Sequence, residues 1–267
     1  MKTILEYIKV NNKPSVIHAT DQTLINIIDD ELVRLGPEAD LNHIDISTCT
    51  SLKHLFDHYN KKHLLNVDVS KWDTSNIKNM YYTFSYCTVF NCDLSKWDVS
   101  NVETFRNMFY ECANFNCDLS DWNVSSAQNT GSMFAGCTKF NSDLSRWNVS
   151  NVTLMSYMFS HCENFKSDVS KWDVSKVENM NAMFYGCKKF NSDISEWYLS
   201  SCTDISIMFG ECENYCKDLS DLWIPEKAYI SGMFYKCEKF KEKKKYWPDR
   251  IKDIIAKQGI YAKIFEQ

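Results

Sequence analysis

Three sets of residues in this chain could do chemistry. Twelve cysteines are present, and seven of them, Cys87, Cys112, Cys137, Cys162, Cys187, Cys212 and Cys237, recur at a fixed step of 25. Thiols so placed could form disulfides between neighbouring turns of chain, or bind metal. Seven aspartates, Asp68, Asp93, Asp118, Asp143, Asp168, Asp193 and Asp218, keep the same step and could hold cations. The segment "KHLFDHYNKKH" places His54 and His58 at i and i+4, a spacing that can bind metal from one helix face.

Each set also has a plainer reading. A run of seven cysteines cannot pair completely, and all but Cys87, which follows Thr-Phe, stand after Met-Phe on an apolar face, so inert core thiols are the favoured reading, with disulfides or metal as the alternative. Asp93, Asp118, Asp143 and Asp193 stand in "F-N-x-D-(L/I)-S", and the other three in variants of it; there a carboxylate accepts backbone N–H bonds in a turn, and a cation ladder is the other possibility. His54 and His58 lack the glutamate of a zincin motif and fall at surface stations of the pattern, which favours exposed residues over a metal pair. A second polar column, Asp73, Asp98, Asn123, Asn148 and Asp173, exchanges Asp for Asn, so it reads as hydrogen bonding rather than charge chemistry. No nucleophile with a base, phosphate-cradling glycine loop or dinucleotide fingerprint is found, so neither an enzyme nor a cofactor is expected.

The elements that position these residues follow from the same step. Trp72, Trp97, Trp122, Trp147, Trp172 and Trp197 form one column, with Trp223 read as slipped by one; Phe84 to Phe234 and Phe90 to Phe240 form two more, the second with Tyr215 as its exception. Met108 to Met233 form another, preceded by Thr83. Self-similarity of this length is the sequence signature of a solenoid, in which stacked copies bury a core that no single copy could. Within a copy, "SNVETFRNMFYEC" has apolar residues at three- and four-residue steps and reads as a short helix, whereas "DLSKWDV" reads as a short strand. The expected fold is therefore an α/β repeat solenoid, leucine-rich-repeat-like, with one short parallel strand and one short helix per 25 residues. Residues 45–242 hold one degenerate and seven full copies. Residues 1–44, with helix-like segments at 3–12 and 23–36 around a strand at 15–19, read as an α/β cap, and residues 243–267 as a helical cap. A separate interaction module is the alternative for residues 1–44.

Composition narrows the partners. A net charge of -5 leaves no basic footprint for nucleic acid. No apolar run is long enough to span a bilayer, and the first residues lack a leader's apolar stretch, so the chain as written is expected to stay in the cytoplasm, or at the cell surface if a leader has been removed.

The motif "W-(D/N)-V-S-N-V-x-x-M-x-x-M-F-x-x-C-x-x-F-N-x-D-(L/I)-S" over residues 45–242 resembles the repeats of BspA-like proteins and the related domain of mollicute lipoproteins. The resemblance implies a leucine-rich-repeat-like scaffold used for binding proteins, with no catalytic residues to carry over; similar repeats occur in bacteria, their phages and large DNA viruses. If the fixed columns are scaffold, the variable stations are the readable surface. Tyr82, Tyr110, Tyr157, Tyr185 and Tyr235 around the Met-Phe turn, and Lys96 and Arg146 before the tryptophans, are the candidate binding residues for a protein partner. A surface adhesin or host-factor binder and a metal-binding scaffold are the alternatives.

Overall fold

The computed structural model describes residues 15–258 and 262–265. The helix-like segment at 3–12 lies outside the described residues. β1 (Ile17–His18) pairs in parallel with β2 (Ile44–Asp45), Ile17 opposite Ile44. Between them runs α1 (Leu24–Leu35), whose Leu24, Ile28 and Leu32 recur every four residues and are buried on one face. Buried Glu31 binds both Arg34 and His43, the latter at 3.0 Å, and so fastens α1 to the chain that follows.

From Ser51 onward each copy bonds to the next. Isolated parallel bridges link Ser51 to Asn79, then Thr104, Asn129, Leu154, Asn179, Asp204 and Tyr229 in turn. A further bridge joins Asp40 to Asp68, and the Trp72 indole donates to the Leu41 carbonyl at 3.0 Å, as Trp97 donates to Val69. The degenerate copy thus begins at Asp40 rather than Asp45, inside the segment read as a cap.

The expected helix and strand within each copy are replaced by consecutive turns. In residues 102–115 the amides of Met108, Cys112 and Phe115 bond to carbonyls three residues back, each at 3.0 Å. A buried side chain at every turn corner produces the three-residue apolar spacing that reads as one helix face. "DLSKWDV" is likewise a turn, closed by Trp97 N–H to Leu94 O at 3.0 Å, and the bridges lie instead in the segment expected to be helical.

Within residues 104–111 the backbone bonds between copies point one way, whereas Glu103 just before them donates back to Lys78 at 2.9 Å. Phe105, Asn107, Phe109 and Glu111 donate forward to Asn129, Gly131, Met133 and Ala135 at 2.9, 3.0, 2.9 and 2.7 Å. The carbonyls of Thr104, Arg106, Met108 and Tyr110 accept from the copy behind. In a parallel sheet successive amides of a strand would face alternate neighbours. Here the intervening amides close turns, which requires left-handed backbone at two stations per copy: Asn107 and Glu111 (φ 57° and 60°), Tyr82 and Tyr86 (58° and 63°), Tyr157 and His161 (58° and 59°). Left-handed backbone costs a non-glycine residue about 1–2 kcal/mol, so its recurrence identifies the ladder as the force that fixes it.

The columns fill the interior. Phe84, Phe109, Phe134 and Phe159 stack at 5.7 Å, and Trp72 lies 6.3 Å from Trp97. The station expected to hold Trp223 is occupied by Leu222, 3% exposed, while Trp223 is on the surface at 56%. Leu222 keeps the turn bond of the column, to Leu219 O at 3.0 Å, so register rather than residue type assigns the station.

After α2 (Glu238–Lys241), Pro248 precedes α3 (Asp249–Gln258), and α4 (Ala262–Phe265) closes the described chain. Phe234 N–H donates to Ile264 O at 3.1 Å, and Phe265 stacks on Phe234 at 6.0 Å. Ile264 and Phe265 therefore occupy the Met and Phe stations of one more rung.

Candidate functional site

The chemically capable columns have structural work to do. Each thiol of the seven-membered column is buried, and Cys112, Cys137, Cys162 and Cys187 bond to the carbonyl of a phenylalanine in the previous copy at 3.0 Å. Burial pushes the Cys87 thiol up to about 12, and raises Cys112, Cys137 and Cys162 as well, which suppresses the reactive thiolate. Cys92 and Cys117 sit closer to the surface, and burial still lifts both to about 11.

The aspartate column closes turns. Asp93, Asp118, Asp143 and Asp168 accept the N–H of the serine two residues on, at 2.9 to 3.0 Å, and that bond is the first cause of their lowered pKa values. Asp98 and Asn123 do the same for Ser100 and Ser125 in the second polar column. Asparagines before the aspartates form a third ladder: Asn91, Asn116 and Asn141 each cap the backbone N–H of the next copy.

His54 and His58 do not converge on a common point. His54 Nδ1 meets Asp57 at 2.6 Å, while His58 Nε2 reaches Asp29 of α1 at 3.0 Å and its Nδ1 faces the His54 carbonyl. Among the described residues no group of three metal-ligating side chains comes together.

The tyrosines are where the surface gathers. Because Tyr82 and Tyr86 occupy the two left-handed stations of their copy, their side chains stand outside the ladder, with neighbours in the adjacent copies. His54 stacks on Tyr82 at 5.1 Å, Tyr81 meets Tyr82 edge-on at 4.4 Å, and Tyr86 meets Tyr110 edge-on at 5.2 Å. Three cations rim the rings: Lys53 and Arg106 approach Tyr81 at 5.7 and 5.8 Å, and Lys62 approaches Tyr86 at 5.1 Å. Burial and then Tyr81 raise the Tyr82 phenol, and burial followed by Tyr86 raises Tyr110, so both remain neutral hydrogen-bonding groups at pH 7.

Other candidates fall elsewhere. Tyr185 meets His161 edge-on at 5.0 Å, and burial followed by Glu211 raises its phenol; Lys236 lies over Tyr235 at 4.9 Å and pairs with Glu211 at 2.9 Å. This forms a second, smaller grouping. Tyr157 is exposed between the two. Lys96 and Arg146 belong to the separate row before the tryptophans, where Arg146 pairs with Asp121 at 3.0 Å. Sequence reading missed Tyr81, Tyr86 and Arg106 as members of the main patch, although "MYYTFSYC" carries three tyrosines in one short stretch.

The family described as Mycoplasma protein of unknown function, DUF285, matches residues 34–147 and again 131–247. The chain belongs to this family. Two successive matches within one chain agree with the repeated bonding pattern, and the first reaches back over Asp40, the beginning of the ladder's first copy. No curated protein and no solved structure matches the chain. Among the described residues no helix is long and apolar enough to cross a membrane.

Proposed function

We propose that this chain is a capped, BspA-like solenoid of the leucine-rich-repeat kind, and that it recognises a protein partner without catalysing a reaction. The observation that carries this reading is the convergence of His54, Tyr81, Tyr82, Tyr86 and Tyr110 into one partly exposed patch rimmed by Lys53, Lys62 and Arg106. Tyrosine offers large contact area with few rotatable bonds, and arginine and tyrosine dominate the energetics of protein interfaces. The chemically capable residues elsewhere support the same reading, because their bonds go to the scaffold.

The test is affinity capture from a lysate of the source organism, comparing the wild type with a Tyr82→Asn/Tyr86→Asn/Tyr110→Ala variant. Asparagine suits the left-handed backbone at the first two positions. One dominant protein held by the wild type and lost from an equally stable variant is the expected result. Retention of the same proteins by both forms, or of none by either, would overturn the assignment of the patch.

A further inference from the structure

The column Asp73, Asp98, Asn123, Asn148, Asp173 breaks in the next two copies, where Tyr198 and Trp223 stand in its place. The five polar residues cap a serine N–H, as Asp173 does for Ser175 at 3.0 Å. At Trp223 the residue two places on is Pro225, which has no N–H to cap. The last copy has also moved its indole from the core station, filled by Leu222, to the surface. Tyr198 is 64% exposed, and its ring stacks on Trp223 at 6.3 Å with an interplanar angle of 23°. Large aromatic rings left in water at adjacent rungs, on a scaffold that buries its other column tryptophans, mark a binding surface.

Trp223 also lines a cavity of about 410 Å³ between the last copy and α3, together with Leu222, Ile224, Asp221, Glu226 and Asp249. Arg250 lines it too, but its guanidinium donates to the carbonyls of Pro225, Glu226 and Ala228, fastening α3 to the copy. Lys252 takes Asp249 at 3.1 Å. Among the described residues Asp221 and Glu226 have no salt bridge and no cation lies over the Trp223 ring, although Tyr81, Tyr86, Tyr235 and Tyr246 each have one. Tyr198 covers one face of the indole.

We propose that the other face of Trp223 and this cavity receive an arginine or lysine side chain of a partner protein. The face of an indole is the negative part of its quadrupole and attracts a cation, and a guanidinium can stack there while its N–H groups reach a carboxylate. Asp221 and Glu226 supply that carboxylate and repel phosphate, which disfavours nucleic acid. The site stands apart from the tyrosine patch, so the two can succeed or fail independently.

The experiment is NMR titration of the protein with an acetylated tetra-arginine amide, following the Trp223 indole N–H, which is assigned by its disappearance in Trp223→Asn. That substitution returns the station to the residue type the column normally carries, and circular dichroism checks that the fold persists. The expected result is a saturable shift of the Trp223 signal, with affinity weakened about tenfold in Trp223→Asn and again in Asp221→Asn/Glu226→Gln. Equal affinity of wild type and Trp223→Asn would overturn the proposal, because the peptide would then be held by acidic charge alone. A Trp223 signal unmoved at millimolar peptide would overturn it as well.

Discussion

Trp147 combines the two kinds of bond that make a column. Its ring is 3% exposed and stacks on Trp172 at 6.5 Å, while its N–H satisfies the buried Leu119 carbonyl at 2.9 Å. Trp147→Ala removes ring and donor together and is expected to destabilise by about 3–5 kcal/mol. Trp147→Phe keeps most of the ring and leaves the carbonyl unpaired, at about 1–3 kcal/mol. Urea unfolding of the two variants separates the contributions, and equal losses would mean that the hydrogen bond carries the whole effect. Tyr215 presents the opposite case. It occupies a phenylalanine station, is fully buried, stacks on Phe190 at 5.9 Å, and has a hydroxyl with no hydrogen-bond partner among the described residues. Tyr215→Phe should stabilise by about 1 kcal/mol by removing a desolvated polar group, and a lower melting temperature would contradict that account. The aspartates set the acid limit. Hydrogen bonds from Ser95, Ser120, Ser145 and Ser170 lower the folded pKa values of Asp93, Asp118, Asp143 and Asp168. Their stabilisation is therefore complete above the unfolded value of about 3.9 and is lost as pH falls through the folded values. Melting temperature should drop on acidification below about pH 5. Asp143→Asn, which keeps the acceptor but does not titrate, should make that drop shallower; an unchanged profile would place the acid sensitivity elsewhere.

At the scale of elements, the columns were legible because a buried station accepts few residue types, and a fixed step then makes Trp, Phe, Met and Cys visible without a structure. Local conformation was harder to read. Turns with a buried corner every third residue and a helix face with steps of three and four give overlapping patterns, and only the hydrogen bonds of Met108, Cys112 and Phe115 separate them. Two boundaries were hidden by substitution: Ile44 replaces tryptophan in the copy that starts at Asp40, and Leu222 does so in the last full copy. The tyrosine patch was only partly legible, since Tyr82 and Tyr110 stand out at variable stations but their contacts with His54 and Tyr86 cross copies. The terminal rung was missed because the step from Phe234 to Phe265 is longer than the period. That rung carries a prediction. Phe265, 2% exposed, covers Phe234, and the neighbouring Ile264 carbonyl accepts the Phe234 amide at 3.1 Å. Phe265→Ala should speed hydrogen exchange at Phe234 while leaving Phe109 and Phe134 protected, as expected for fraying from one end of a nearest-neighbour array. Uniform acceleration along the chain would show that the copies open together instead.

For the whole molecule, the arrangement implies that chain can be removed in whole copies. The amide bonds of the phenylalanine column repeat at one offset: Phe109 donates to Met133, Phe134 to Met158, and Phe159 to Met183, each at 2.9 Å. Deleting residues 143–167 would join Ser142 to Asp168, recreating the Ser-Asp junction found at Ser142–Asp143 and Ser167–Asp168. Phe134 would then stack on Phe184, and Trp122 on Trp172, with every column in register. Deleting only residues 143–154 removes less chain but joins Ser142 to Met155, placing an apolar station where the aspartate turn belongs and omitting Trp147 from its copy. The larger deletion should therefore remain folded and cooperative, with a urea m-value smaller by about a tenth because less surface is exposed on unfolding. The smaller one should lose cooperative unfolding, or expose enough apolar surface to aggregate. The reverse ranking would mean that stability depends on particular contacts of the fourth full copy, and that the copies are not interchangeable units of one continuous core.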